Sequence, residues 1–215
     1  KLNINYLLES IMKSFPIEGL TDQSNKKPFF SISRSFDINR PGNSILDLEG
    51  GVVGGTLLEG TLKIGDSIII KPGRKGNCIK TKIISIMSGK TPLDTISPGG
   101  LVAIKTDINP HFTRNDLLAG NVICFENDDS VHVIDELDVI INFIDDSTTL
   151  KKDDMIKIQI GPKNYKGTIN FIKKKNRKKH YLIKLSDYTC LKSNTKLYIS
   201  TNDDMMKIIG YCIFN

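Results

Sequence analysis

The sequence predicts an all-β chain of two consecutive β-barrels, preceded by a short α-helix. Short runs rich in β-branched and aromatic residues alternate with Gly, Pro, Asn and Asp from Pro28 onward. Helical periodicity is confined to the first fifteen residues. A polar break, Glu126-Asn127-Asp128-Asp129, divides the strand runs into two sets.

Ile4, Leu7, Leu8, Ile11 and Met12 recur at i, i+3, i+4, i+7 and i+8, which places one apolar stripe along a helix. Asn3 is positioned to cap its start, and Pro16 to end it by removing a donor. Thr21–Lys27 turns polar and reads as a linker. The first strand set is Phe29–Ser35, Val52–Leu58, Ser67–Lys71, Ile79–Met87, Leu101–Lys105 and Val122–Phe125. The second is Val131–Ile144, Asp154–Ile160, Tyr165–Ile172, Tyr181–Leu185, Lys196–Ser200 and Lys207–Phe214. Strands this short expose costly edges unless they close, hence barrels. The expected domains are 1–27 (helix and linker), 28–129 and 130–215. The opening Lys1-Leu2-Asn3, without an initiator methionine, is expected to mark a piece of a longer protein.

Composition narrows the function. The chain has a net charge of +6, carried mostly by residues 131–215, and 25 of its 30 basic residues are lysine. Such basicity fits either solvated faces or contact with nucleic acid. No apolar run approaches the ~18 residues of a membrane-spanning helix. Cys78, Cys124, Cys190 and Cys212 form no C-x-x-C pair, and with only three histidines no zinc scaffold exists. Buried, reduced thiols are expected, and no metal site.

Catalytic patterns are missing too. No G-x-x-x-x-G-K-[ST] cradle is present, and the glycine-rich stretch Gly50–Gly55 leads into a strand, with no helix dipole to face an anion. Glycines where a strand bends, or where a ligand meets the backbone, account for it. The doublets Asp128-Asp129, Asp145-Asp146, Asp153-Asp154 and Asp203-Asp204 read as turn residues. His111, His132 and His180 have no nucleophile in a matching motif. The run Lys173–Lys179 lies between two strand patterns and predicts an exposed hairpin tip. It is either a solvated loop or a contact for RNA phosphates, through Lys174, Lys175, Arg177 and Lys178.

Three stretches resemble translational GTPases. Gly54–Asp66, G-G-T-L-L-E-G-T-L-K-I-G-D, resembles the barrel that follows the nucleotide-binding domain in elongation factor Tu and its relatives, and Pro98–Val102 a later turn and strand of it. Arg34–Gly42, R-S-F-D-I-N-R-P-G, followed by Gly50–Gly55, is similar to the gamma subunit of eukaryotic and archaeal translation initiation factor two. Ile68–Gly73, Asn109-Pro110 and Arg114–Gly120 extend the match. The segment Ser200–Gly210 departs from that family, which has arginines and a tryptophan there.

The resemblance implies a cytoplasmic, non-membrane protein made of the helix that trails a G domain, then domains II and III. It implies no catalysis by this chain, with GTP and magnesium held by the G domain. The implied partners are methionyl initiator tRNA, the alpha and beta subunits of the factor, and the small ribosomal subunit. Gly50, Gly51 and Val52 would line the domain II wall of the acceptor-end crevice, with Arg34, Arg40, Lys90 and Lys105 around it. The alpha subunit would dock on the loop Lys71–Cys78, through Lys71, Arg74 and Lys75. The alternatives are the corresponding barrels of a selenocysteine-specific elongation factor, or an interaction module that binds no RNA.

Overall fold

The computed structural model describes residues 3–14, 23–40, 42, 44, 48–145, 147–175, 178–203 and 206–214. Helix α1 (Ile4–Ser14) begins where Leu7 N donates to the Asn3 carbonyl at 3.0 Å. Its apolar stripe is unburied, with Leu7 60% and Met12 74% exposed. Pro16, the expected terminator, lies outside the described residues.

The first sheet is built from β1 (Phe29–Phe36), β2 (Val52–Glu59), β4 (Ser67–Arg74), β5 (Asn77–Ser88), β6 (Thr91–Leu93), β8 (Val102–Thr106) and β9 (Val122–Cys124). Its order is β4-β9-β1-β2-β8-β5-β6, and β4 also pairs with β5. That last ladder closes six strands into a barrel, with β6 appended. A small ribbon, β3 (Leu62–Lys63) with β7 (Thr95–Ile96), lies apart. Strands β3, β6 and β7 escape sequence reading because two or three residues carry no periodicity. Inward positions such as Phe30, Ile32, Val53, Ile70 and Ile104 make one core, and each contributes roughly 1.5–3 kcal/mol of burial.

The second sheet holds β10 (His132–Val139), β11 (Asn142–Phe143), β12 (Met155–Ile160), β13 (Lys163–Lys175), β14 (Lys178–Leu191), β15 (Thr195–Thr201) and β16 (Ile208–Phe214). Its order is β10-β14-β13-β12-β15-β16-β11, so it curls around its core as a half-barrel. The expected strand Val131–Ile144 is two strands, because β10 pairs with β14 and β11 crosses to β16. The lysine-rich tip is also more regular than expected. Lys173–Lys175 and Lys178–His180 continue the β13–β14 ladder.

A third apolar cluster joins the two sheets: Ile69, Val122 and Cys124 from the first meet Val131 and Cys190 from the second. Polar contacts reinforce it. Lys192 pairs with Glu59 at 2.6 Å and lies 4.7 Å from the Phe29 ring centroid. The linker is bonded as well: Gly60 N donates to Gln23 O, and Lys27 Nζ to Asn127 O. Three thiols are buried as expected, but Cys78 is exposed, since it lies second in β5 on the outer side of the barrel.

Candidate nucleic-acid interface

One outer face of the barrel brings together three of the residues singled out in the sequence, Arg34, Val52 and Lys105. Register places Phe36, Val52, Lys105 and Ser85 in one row across β1, β2, β8 and β5. The next row is Arg34, Gly54, Ala103 and Met87. Alternation puts Val53 and Ile104, the neighbours of these rows, inside. The centre of the face is therefore smooth, with Gly54 and Ala103, and its margin carries Arg34, Lys105 and the half-exposed Phe36.

Carboxylates fix the basic groups. Arg34 Nε donates to Asp116 Oδ1 at 2.9 Å, and Ser35 N donates to the same oxygen at 2.9 Å. Arg114 Nε donates to Asp37 Oδ2 at 2.8 Å. Asp37 Oδ1 accepts from Asn39 N and Nδ2, and Asn39 in turn exchanges two hydrogen bonds with the backbone of Glu49. Glu49 pairs with Lys105. The Ser35 N–H, then the Arg34 side chain, hold the Asp116 carboxyl below its ordinary range; the Asn39 N–H and Arg114 do the same for Asp37. The Arg34 bond uses Nε alone and the side chain is 72% exposed, so its terminal nitrogens face solvent and can meet a phosphate.

The remaining expected contacts lie at different depths. Gly51 and Val52 are buried, and Gly50 is half-buried. A Cβ on Gly51 would stand 2.5 Å from Thr113 Cγ2, and one on Gly50 would strike the Thr106 carbonyl. The space beside these two glycines on the Cβ side is therefore filled from within the barrel. The open glycine is Gly54, whose Cβ would find ordinary contacts at 3.8 Å from Phe36 Cε1 and 3.9 Å from Arg34 Cβ. Arg40 is exposed on the segment between β1 and β2. Lys90 sits at the β5–β6 turn, beyond the two rows.

Lys71–Cys78 is mostly strand, turned by Lys75 and Gly76 at φ 53° and 81°. Arg74 and Lys75 are exposed there. Lys71 is half-buried, and its Nζ donates to the carbonyls of Asp128 and Val131 between the sheets. On the hairpin tip, Lys174 stands opposite Lys179 and Lys175 opposite Lys178. Arg177 lies outside the described residues. Among the described residues no group of three or more His, Cys, Asp or Glu is placed to hold a metal. No helix among them is long and apolar enough to cross a membrane.

Sequence reading missed Asp37, Asn39, Arg114 and Asp116 as parts of this face. Two separate stretches of the resemblance contain them, which is the signal that could have joined them.

The translation initiation factor 2 gamma subunit of Methanococcus vannielii is 41% identical over 128 residues, 56% of this chain and 31% of its own length. Those of Thermoplasma acidophilum and Pyrococcus furiosus are 42% and 40% identical over 128 and 129 residues. The chain is similar to the gamma subunit of translation initiation factor 2. It spans about a third of the length of these relatives. No family model matches it. Among solved structures, elongation factor SelB of Methanococcus maripaludis matches 99% of the chain and 48% of its own, with TM-score 0.77 and 15% identity. A bacterial selenocysteine-specific elongation factor matches 99% and 31%, with TM-score 0.71 and 18% identity. The two-sheet fold is thus a translation-factor fold.

Proposed function

We propose that this chain is domains II and III of an initiation factor 2 gamma subunit, with boundaries at 1–27, 28–129 and 130–215. Its first barrel forms one wall of the site for the acceptor end of methionyl initiator tRNA. The observation that carries this reading is the 41% identity to an archaeal gamma subunit. The geometry of the Arg34 face supports it: a smooth Gly54–Ala103 centre accepts a ribose or base edge-on, and Arg34 and Lys105 supply positive charge for phosphates. Arg40 and Lys90 are outlying phosphate contacts, and Gly50, Gly51 and Val52 line the wall.

GTP and magnesium belong to a nucleotide-binding domain outside this chain, so hydrolysis is a property of the longer protein. The alpha subunit docks at the β4–β5 turn through Arg74 and Lys75, and the beta subunit on the nucleotide-binding domain. The basic β13–β14 tip, with Lys174, Lys175, Arg177 and Lys178, contacts RNA phosphates of the small ribosomal subunit in the cytoplasm.

The test is filter binding of methionyl initiator tRNA to the protein joined to its nucleotide-binding domain. Arg34→Ala is expected to weaken binding about fivefold and to lower the salt slope by about one. Unchanged affinity and salt dependence would overturn the placement of the tRNA wall.

A further inference from the structure

The outer face of the second sheet carries a feature that the tRNA wall does not use. Asn164, Gln159, Tyr198, Tyr211 and Asn142 form one unbroken row across β13, β12, β15, β16 and β11. The residues between them point inward: Ile158, Tyr165, Leu197, Ile199 and Cys212 belong to the core. Two tyrosines thus stand side by side on a face whose flanks are amides. Tyr198 is 44% exposed. Lys196 Nζ lies 4.3 Å from the Tyr211 ring centroid and 5.5 Å from that of Tyr198.

Beside Tyr198 is a pocket of 290 Å³ lined by Gln159, Asn164, Tyr198, Ser200, Met206 and Ile208. Pockets for drug-sized ligands run to about 300–1,000 Å³, so this smaller hollow suits a single planar heterocycle. Its walls are a ring, the apolar side chains of Met206 and Ile208, two amides and the Ser200 hydroxyl. The Gln159 amide nitrogen is used on Gly161 O at 2.6 Å, which leaves its oxygen to accept. The Asn164 amide has no side-chain hydrogen bond among the described residues and offers both donor and acceptor.

Charge selects the occupant. The outward positions of β12, β15 and β16, and those of β13 from Asn164 to Thr168, carry Lys157, Lys166 and Lys196 and no carboxylate. At the edge, Asp203 Oδ1 is engaged by Thr201 Oγ1 and Met206 N, and the Asp203 carbonyl accepts from Lys157 Nζ. Aromatic rings with flanking amides and lysines make the pattern that holds unpaired bases: rings stack, amides meet base edges, and ammonium groups take the phosphates. A duplex hides its bases from such a platform.

We propose that this face binds single-stranded RNA, with one base seated in the Tyr198 pocket and the next stacked toward Tyr211. It lies on a different sheet from the Arg34 wall, so the two readings stand or fall separately.

The experiment measures anisotropy of a labelled ten-nucleotide single-stranded RNA, and of the same sequence as a duplex, with the 215-residue chain. The chain has no tryptophan and six tyrosines, two of them on the platform, so the share of tyrosine quenching that Tyr198→Ala removes reports on the platform. The expected result is tighter binding of the single strand, quenching of tyrosine emission, and about tenfold weaker binding for Tyr198→Ala. Tyr198→Phe, which keeps the ring, is expected to stay within about twofold of wild type. Equal binding by wild type and Tyr198→Ala, equal binding of duplex and single strand, or an equal loss in Tyr198→Phe would overturn the proposal.

Discussion

Arg34 on β1 and Asp116, 82 positions later, share a 2.9 Å hydrogen bond, and the same carboxylate oxygen receives the Ser35 N–H. Arg114 and Asp37 make the reciprocal bond at 2.8 Å. Two stretches that look unrelated in sequence are thus cross-laced, arginine to aspartate in both directions. The lacing sets the position of the Arg34 side chain while leaving its terminal nitrogens to solvent.

Hydrogen-bonded carboxylates, one of them in this lacing, make the barrel sensitive to acid. Asp107 is held below the ordinary value of 3.8 by the Thr81 hydroxyl and then the Lys82 N–H, and Asp116 by the Ser35 N–H and then Arg34. Because the folded values lie below the unfolded ones, their stabilisation is full above about pH 4 and is lost as pH falls through the folded values. Urea midpoints from pH 6 to pH 3 are expected to drop below pH 4. Asp107→Asn should start lower and fall less steeply; parallel profiles would contradict this.

Gly51 and Gly54 should respond oppositely to alanine. A Cβ at Gly51 lies 2.5 Å from Thr113 Cγ2, an overlap that costs roughly 1–3 kcal/mol as overpacking. At Gly54 the nearest atom is 3.8 Å away, so alanine is neutral or stabilises by up to about 1 kcal/mol through the unfolded chain. Chemical denaturation of the two variants separates these effects.

Thiol chemistry should single out Cys78. Burial pushes Cys124 up to about 11 and Cys190 and Cys212 up to about 12, so these three remain protonated at pH 8. Cys78 is exposed. Alkylation of the native chain followed by mass analysis is expected to give one modified thiol rapidly, and four only in denaturant.

The lysine ribbon offers a change that separates stability from binding. Lys174 opposes Lys179 directly, and facing like charges cost a fraction of a kcal/mol. Lys174→Glu is expected to raise stability by roughly 0.2–1 kcal/mol while weakening duplex and single-stranded RNA alike. A loss of stability would show that the ribbon is not strained by its own charge.

The strands and the alternation of their cores were legible because Val, Ile and Phe recur with period two. What stayed hidden depends on pairing across long separations. Nothing local announces that Lys71 turns inward to Asp128 and Val131, so the loop Lys71–Cys78 looked free. Nor can sequence reveal that Thr113, 62 positions on, fills the space beside Gly51. The Tyr198–Tyr211 row was invisible for the same reason: its five residues come from five strands.

The most direct test of the central claim is a competition among charged tRNAs for the protein joined to its nucleotide-binding domain and loaded with a GTP analogue. Fold likeness alone is shared with the selenocysteine factors, so preference must decide. Methionyl initiator tRNA is expected to bind more tightly than its uncharged form and than selenocysteyl tRNA. Preference for selenocysteyl tRNA, or indifference to the methionyl group, would contradict the account.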